Sequence, residues 1–238
     1  MRLDNYLVEN GYFDSRTKAK QAILRGEIFI NKAKITKPAF EVGCDDNVEY
    51  VYEKSYVSIG GYKLEKGLRD FKVNVNGLTI ADIGASTGGF THCLLQNGAK
   101  KVYAVDLNDG LLHQSLKQDS RVNLIVKNVK NLTIDDFEEK LDFIVGDLSF
   151  ISLSQVIPVL AKLIERKKQM ILLIKPQFET GEHKKYKNGI IRDKKIHKQV
   201  CDNVIKVAKG CSFNFINITT APITQNKNTE FLILLEKN

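Results

Sequence analysis

Apolar residues along the 238-residue chain follow two rhythms, and one gives way to the other at about Gly77. In the first fifty residues Leu3, Tyr6 and Leu7, then Ala19, Ala22, Ile23 and Leu24, recur at intervals of three and four, the period of an amphipathic helix. Asn10-Gly11 reads as the turn between two such helices, with Ser15 placed to cap the second and Gly26 to stop it. Short strands are expected at Ile28 to Ile30 and Asn47 to Tyr52. The pattern predicts a small α+β unit over residues 1–52, followed by a linker over 53–59.

Beyond Gly77 short apolar runs bounded by polar segments take over: Leu78 to Ile83, Lys101 to Asp106, Asn123 to Val126, Leu141 to Asp147, Met170 to Ile174, Phe213 to Thr219 and Phe231 to Glu236. Stretches such as Gly89 to Asn97 and Ser154 to Glu165 have helical length and period. Apolar strands alternating with helices predict an α/β domain over 60–238, with a mostly parallel seven-stranded sheet covered on both faces. The last two strands are joined by a segment too short for a crossover helix, so one strand is expected to run antiparallel. Ligands of such sheets bind at the carboxyl ends of the strands.

With 43% hydrophobic and 27% charged residues, the composition is that of a globular protein. No apolar run approaches the roughly 18 residues of a membrane span. Met1-Arg2-Leu3-Asp4-Asn5 lacks the apolar core of a secretory signal, so a cytoplasmic location is expected. Cys44, Cys93, Cys201 and Cys211 form no Cys-x-x-Cys pair and His92, His113, His183 and His197 show no ligand spacing, so no metal site is predicted. The net charge of +8 favours a polyanionic partner. It is concentrated in two places. Arg16, Lys18, Lys20, Arg25, Lys32, Lys34 and Lys37 meet a single acid, Glu27, and between Lys162 and Lys209 fourteen Lys or Arg face five acids. Arg16, Lys20 and Arg25 would project opposite the apolar stripe of their helix, where they can lie along a phosphate backbone.

The segment Asp82-Ile83-Gly84-Ala85-Ser86-Thr87-Gly88-Gly89-Phe90 reads as a strand end, a glycine-rich turn and a helix start. Its glycine spacing is not Gly-x-Gly-x-x-Gly, and a phosphate-binding loop would need Lys-Ser/Thr where Phe90-Thr91 stands. The next strand ends at Asp106, followed by Leu107, about twenty residues past the loop, where an acid accepts ribose hydroxyls. An adenosine without phosphates fits, and S-adenosylmethionine is such a ligand. Its ribose would meet Asp106, its amino-acid part the Gly84 to Gly89 turn, and its adenine the neighbourhood of Asn128-Val129.

These residues carry a wider resemblance. Arg2-Leu3-Asp4, Gly11, Ser15-Arg16, Ala19, Ile23, Gly26, Ile30-Asn31 and Lys37-Pro38 resemble the S4-like RNA-binding module. Tyr56-Val57-Ser58-x-Gly60-Gly61-x-Lys63-Leu64, the Asp82 to Thr91 loop, Asp147-Leu148-Ser149-Phe150-Ile151-Ser152-Leu153, Lys175-Pro176-Gln177-Phe178-Glu179 and Asn228-x-Glu230-Phe231-Leu232 are similar to the TlyA family of ribosomal RNA methyltransferases, whose catalytic domain is FtsJ-like. The motifs stand in the family's order over nearly the whole chain. Ile59, where many relatives carry a basic residue, and Gly189-Ile190-Ile191-Arg192-Asp193 depart from its pattern. The resemblance implies a Rossmann-like, S-adenosylmethionine-dependent methyltransferase fold behind an S4-like domain. It also implies ribosomal RNA or subunits as partner, and ribose methylation of a cytidine. The short N-terminus matches the subgroup associated with large-subunit RNA only.

The same resemblance assigns a Lys-Asp-Lys-Glu set to Lys63, Asp147, Lys175 and Glu230, and Asp147 also borders the cofactor. Asp147 and Lys175 each end an apolar run, which places both at the strand ends where the methyl donor would sit. A ribose hydroxyl is a poor nucleophile, so Lys175 would either take its proton or hold the developing negative charge as a cation. Lys63 and Glu230 would orient the nucleotide and the other members. Arg2 joins the N-terminal basic residues as a candidate RNA contact, and Lys184, Lys185 and Lys187 are candidates near the catalytic rim. Two alternatives stay open: a membrane-active haemolysin, since such labels accompany the family, and an inactive RNA-binding assembly factor.

Overall fold

The computed structural model describes residues 1–13, 15–43, 45–50, 56–181, 189–222 and 227–238. The chain divides into two compact units, Met1–Ser55 and Tyr56–Asn238.

In the first unit, helices α1 (Leu3–Glu9) and α2 (Arg16–Arg25) precede strands β1 (Ile28–Ile30), β2 (Ala33–Ile35) and β3 (Val48–Tyr50), paired antiparallel in the order β2-β1-β3. Ser15 accepts the Lys18 N–H at 3.4 Å as the N-cap of α2, and Gly26 ends that helix at φ +75°. Leu3, Leu7, Ala19, Ala22, Ile23, Ile28, Ile30, Val42 and Val48 form the core. The sequence pattern did not show β2. Ile30 pairs with Ala33 across a two-residue turn in which Asn31 and Lys32 have φ values of 50° and 68°. Hairpin turns with both central residues left-handed are usually announced by Asn-Gly, and Asn-Lys conceals this one.

Asp4, in the first turn of α1, is fully buried. Arg2 donates to both its oxygens at 3.1 and 3.2 Å, Arg16 donates to Oδ2 at 2.9 Å, and Lys20 stands 3.8 Å away. The hydrogen bond from Arg2 is the main cause that holds the Asp4 carboxyl well below the usual carboxylate range. A depressed acid contributes stability above its unfolded pKa and withdraws it as the pH falls through the folded value. Asp4→Ala is therefore expected to weaken hydrogen-exchange protection of the α1 and α2 amides about tenfold at pH 7, equivalent to about 1.4 kcal/mol. Acidification below pH 4 should erode wild-type protection and leave the variant's nearly level. Equal protection in the two proteins at pH 7 would remove Asp4 from this role.

The second unit contains α3 (Gly60–Phe71), β4 (Thr79–Ile83), α4 (Gly89–Gln96), β5 (Lys101–Asp106), α5 (Gln114–Lys117), β6 (Val122–Val126), β7 (Leu141–Gly146), α6 (Leu153–Leu163), β8 (Ile164–Ile174), α7 (Pro176–Glu179), α8 (Lys194–Gly210), β9 (Phe213–Thr220) and β10 (Phe231–Lys237). Its seven-stranded sheet has the order β6-β5-β4-β7-β8-β10-β9. Pairs among β4 to β8 are parallel, and β10 runs antiparallel to both β8 and β9. This is the mostly parallel sheet with one reversed strand that the sequence predicts.

Alternate strand residues serve the two faces. Ile83, Tyr103, Ile144, Leu172 and Ile233 join Val156 and Leu160 of α6 and Val200 and Val204 of α8. Ile80, Val102, Val145, Ile171 and Leu232 join Leu64 and Leu68 of α3 and Phe90 and Leu94 of α4. Each such Leu, Ile or Val contributes roughly 1.5–3 kcal/mol on burial. Two long helices, α3 and α8, were not expected from the pattern. Gly60, Gly61 and Gly67 weaken the helical signature of α3. Strand β8 also starts earlier than Met170, because Glu165 to Gln169 are charged or polar residues that extend it beyond its buried part. Cys93 and Cys201 are buried free thiols. Among the described residues no helix is long and apolar enough to cross a membrane.

Candidate active site

From β4 the chain winds outward through β5 and β6, then returns to β7 and β8 on the other side. This reversal opens a crevice at the carboxyl end of β4, and the glycine-rich turn lies there. The Gly84 and Ala85 N–H groups donate to the Val105 carbonyl at 2.9 and 3.0 Å, and the Ser86 N–H donates to Asp106 Oδ2 at 2.8 Å. Gly84 has φ +83°, and a Cβ there would meet the Asp147 carbonyl oxygen at 2.9 Å, so only glycine lets the turn approach that strand end. Ser86 and Thr87 form the exposed tip, whereas Ala85, Gly88, Gly89 and Phe90 are buried and Phe90 belongs to the core. A Cβ on Gly89 would lie 2.3 Å from Ser58 Oγ and 2.9 Å from the Gly61 nitrogen, so close packing of α4 on α3 depends on its absence.

Beneath this turn Asp82 is fully buried. Its Oδ2 accepts the Thr91 hydroxyl at 2.6 Å, and Oδ1 has no partner among the described residues. Burial pushes its pKa up to about 7, and the charges of Asp147 and Asp106 act in the same direction. Asp82 and Asp106 thus border one glycine-lined crevice, which suits a cationic ligand, while Asp147 is balanced by two lysines. Leu107 is exposed beside Asp106, where a flat apolar group can lie. Asn128 accepts its own turn's Lys130 N–H at 2.9 Å and Val129 is buried in the core, so the Asn128 oxygen and the Val129 side chain are engaged within their own segment.

The four residues of the Lys-Asp-Lys-Glu set come from four elements and meet at one rim. Lys63 is on the first turn of α3, Asp147 follows β7, Lys175 follows β8, and Glu230 precedes β10. Lys63 Nζ lies 2.6 Å from Glu230 Oε2 and 3.9 Å from Asp147 Oδ2, while Lys175 Nζ lies 2.6 Å from Asp147 Oδ1. All four side chains are largely buried, in the alternating order Glu230, Lys63, Asp147, Lys175. Two cations and two anions with no surplus charge can persist away from water, where any one alone would not.

Sequence reasoning assigned no role to the residues that join the Asp147 and Lys175 loops. The Ser149 hydroxyl accepts from Lys175 Nζ at 2.8 Å, and the rings of Phe150 and Phe178 stand 5.0 Å apart. Glu179 accepts the Ser152 hydroxyl at 2.6 Å and the Leu153 N–H at 2.9 Å. The available signal was that Asp147 to Leu153 and Lys175 to Glu179, both among the motifs quoted above, follow directly after apolar strands. His92 Nδ1 accepts the Val57 N–H at 3.1 Å, tying the segment before α3 to α4. Burial, with His113 nearby, lowers the His92 pKa and keeps that nitrogen bare.

The candidate RNA contacts fall into two groups. Arg2, Arg16 and Lys20 hold Asp4, and Arg25 pairs with Glu27, so these four have structural partners. Lys18 begins the exposed side of α2, and Lys32, Lys34 and Lys37 are exposed with no acid within 4 Å among the described residues. Lys184, Lys185 and Lys187 lie outside the described residues.

Residues 56–237 match the FtsJ-like methyltransferase family, and residues 1–48 match the S4 domain. The chain belongs to the FtsJ-like methyltransferases. Within that family it is of the TlyA type. This methyltransferase is 41% identical to Hemolysin A of Brachyspira hyodysenteriae, over 98% of both chains. It is 34% identical to the 16S/23S rRNA (cytidine-2'-O)-methyltransferase TlyA of Mycobacterium tuberculosis, over 98% of this chain and 89% of that protein. A solved structure of a hemolysin-named protein from Streptococcus thermophilus, 38% identical, covers 100% of this chain and 88% of its own, with a TM-score of 0.74.

Proposed function

We propose that this methyltransferase binds S-adenosylmethionine in the Gly84 to Gly89 crevice and methylates a ribose 2′-oxygen of ribosomal RNA, that of a cytidine in the large subunit. The observation that carries this reading is the buried Glu230, Lys63, Asp147, Lys175 series beside an acid-lined glycine crevice. When bound, S-adenosylmethionine supplies an electrophilic methyl group on a sulfonium. Asp106 would hold its ribose hydroxyls and Asp82 its positively charged end. In the transfer a bond would form between O2′ and the methyl carbon as the carbon–sulfur bond breaks with its electron pair left on sulfur, and the hydroxyl proton would pass to water. Lys175 faces that oxygen and stabilises the charge developing there. Asp147 and Glu230 keep the two lysines in place, so the attack geometry is set before the substrate arrives.

Phe150 supports a nucleotide at this rim. Its side chain is 89% exposed, and its backbone has φ +64°, a conformation that aromatic residues rarely adopt. The ring has no core function there, and it stands beside Phe178, whose own ring lies 6.0 Å from Lys175 Nζ, which makes it a stacking surface for an unstacked base. Phe150→Ala is expected to raise KM for the ribosomal substrate about tenfold, since base–aromatic stacking contributes about 1–3 kcal/mol. Thermal stability should stay level and Phe150→Tyr should retain most activity. An unchanged KM in the alanine variant would rule out the contact.

The deciding experiment is tritiated methyl transfer from S-adenosylmethionine to unmethylated large and small ribosomal subunits, with the product nucleotide mapped. Label on a cytidine 2′-oxygen of the large subunit supports the proposal, and label on both subunits broadens it. Ribosome binding without label would favour an inactive assembly factor. Leakage of liposomes by the protein alone, without label, would favour a haemolysin.

A further inference from the structure

We infer that Ser149 is a positioning residue for Lys175, fixing the direction in which the lysine nitrogen meets the ribose oxygen. The inference rests on the proposed role of Lys175. Beyond its bond to Cε, the Lys175 nitrogen has three tetrahedral directions. Ser149 Oγ accepts along one of them at 2.8 Å. Asp147 Oδ1 stands 2.6 Å from the nitrogen as its ion-pair partner but outside hydrogen-bond geometry, so it attracts the charge without fixing its rotation. With Asp147 alone the nitrogen could turn about Cε–Nζ, and its directions would sweep a cone. The Ser149 acceptor stops that rotation, whether the group carries a lone pair or a third hydrogen.

Asp147 and Ser149 belong to one short loop, two residues apart, and the loop is fastened to the lysine's own loop further along. Phe150 stands against Phe178, and Glu179 takes hydrogen bonds from Ser152 and Leu153. Ser149 and Lys175 are therefore held at a set separation by contacts that do not involve either side chain. Ser149 itself is exposed at the rim, so removing its hydroxyl takes no packing from the core.

The test is steady-state methylation of unmethylated large ribosomal subunits with tritiated S-adenosylmethionine by wild type, Ser149→Ala, Ser149→Thr and Lys175→Ala. Ser149→Ala is expected to lower kcat between about 10- and 100-fold, the scale of a misdirected reacting group. KM for both substrates and the melting temperature should stay near wild type. Ser149→Thr, which restores the acceptor oxygen, should recover most of kcat. The inference is overturned if Ser149→Ala keeps wild-type kcat, if its loss appears in KM instead, or if threonine is as poor as alanine. Lys175→Ala with full activity would remove the catalytic assignment itself, an outcome separate from the failure of Ser149 alone.

Discussion

Lys175→Ala is expected to reduce methyl transfer by about 10³-fold or more, the upper range for losing a group that manages charge or a proton at the reacting atom. Affinity for S-adenosylmethionine should change little, because Lys175 emerges from β8 and the cofactor crevice is built on β4, β5 and β6. Asp147→Ala should be at least as damaging. Asp147 is the anion between two cations, 2.6 Å from Lys175 and 3.9 Å from Lys63, and its loss leaves both lysines to repel each other at a largely dry rim. Single-turnover assays with saturating cofactor separate these effects from binding. Full single-turnover rates in either variant would show that the charge series is structural and that transfer is managed elsewhere.

Asp82→Asn should make the free protein more stable and the enzyme worse. The ordinary Asp pKa of 3.8 is raised by burial to about 7, so between those values the unfolded chain releases a proton that the folded chain retains. Wild-type stability accordingly falls as the pH rises through that window, and the full penalty is present above about pH 7. Asparagine cannot ionise and can still accept the Thr91 hydroxyl. Its melting temperature is expected to exceed wild type by about 5 °C at pH 8 and to match it at pH 4. S-adenosylmethionine, being cationic, favours the ionised aspartate. Wild-type affinity should rise with pH up to about 7 with release of a proton, whereas the asparagine variant should bind at least tenfold more weakly and without that pH dependence. Calorimetry in buffers of different ionisation enthalpy reads the proton directly. Equal affinity and no proton release in wild type would dissociate Asp82 from the cofactor.

These expectations show how far the sequence could be followed. The strand ends were legible because apolar runs terminate at Asp106, Asp147 and Lys175 and a glycine-rich turn follows Ile83, and a parallel sheet gathers such ends at one edge. The reversed strand was legible from the short connection before it. Helix α3, which carries Lys63, was hidden by its glycines. Gly61 serves close packing against Tyr56, whose ring would lie 2.2 Å from a Cβ there, and Gly67 lies against Leu232. Helix α8 was overlooked in a lysine-rich stretch whose core positions Val200, Cys201, Val204 and Ala208 are outnumbered by charges. The double role of the basic N-terminal residues was also beyond a linear reading. A count of charges cannot show that Arg2, Arg16 and Lys20 converge on a buried Asp4, because that depends on how α1 meets α2. Ser149 and Phe150 lie in an irregular loop and Glu179 ends the single-turn helix α7, where hydrophobic period carries no information.

Strand β10 comes late in the chain yet sits inside the sheet, hydrogen-bonded to β8 on one side and β9 on the other. During synthesis β8 is thus left with a bare edge, and β9 has no partner, until the segment from Glu230 onward has emerged. The same arrival delivers Glu230 to Lys63. Closure of the sheet and pairing of Lys63 with Glu230 are therefore a single event in folding.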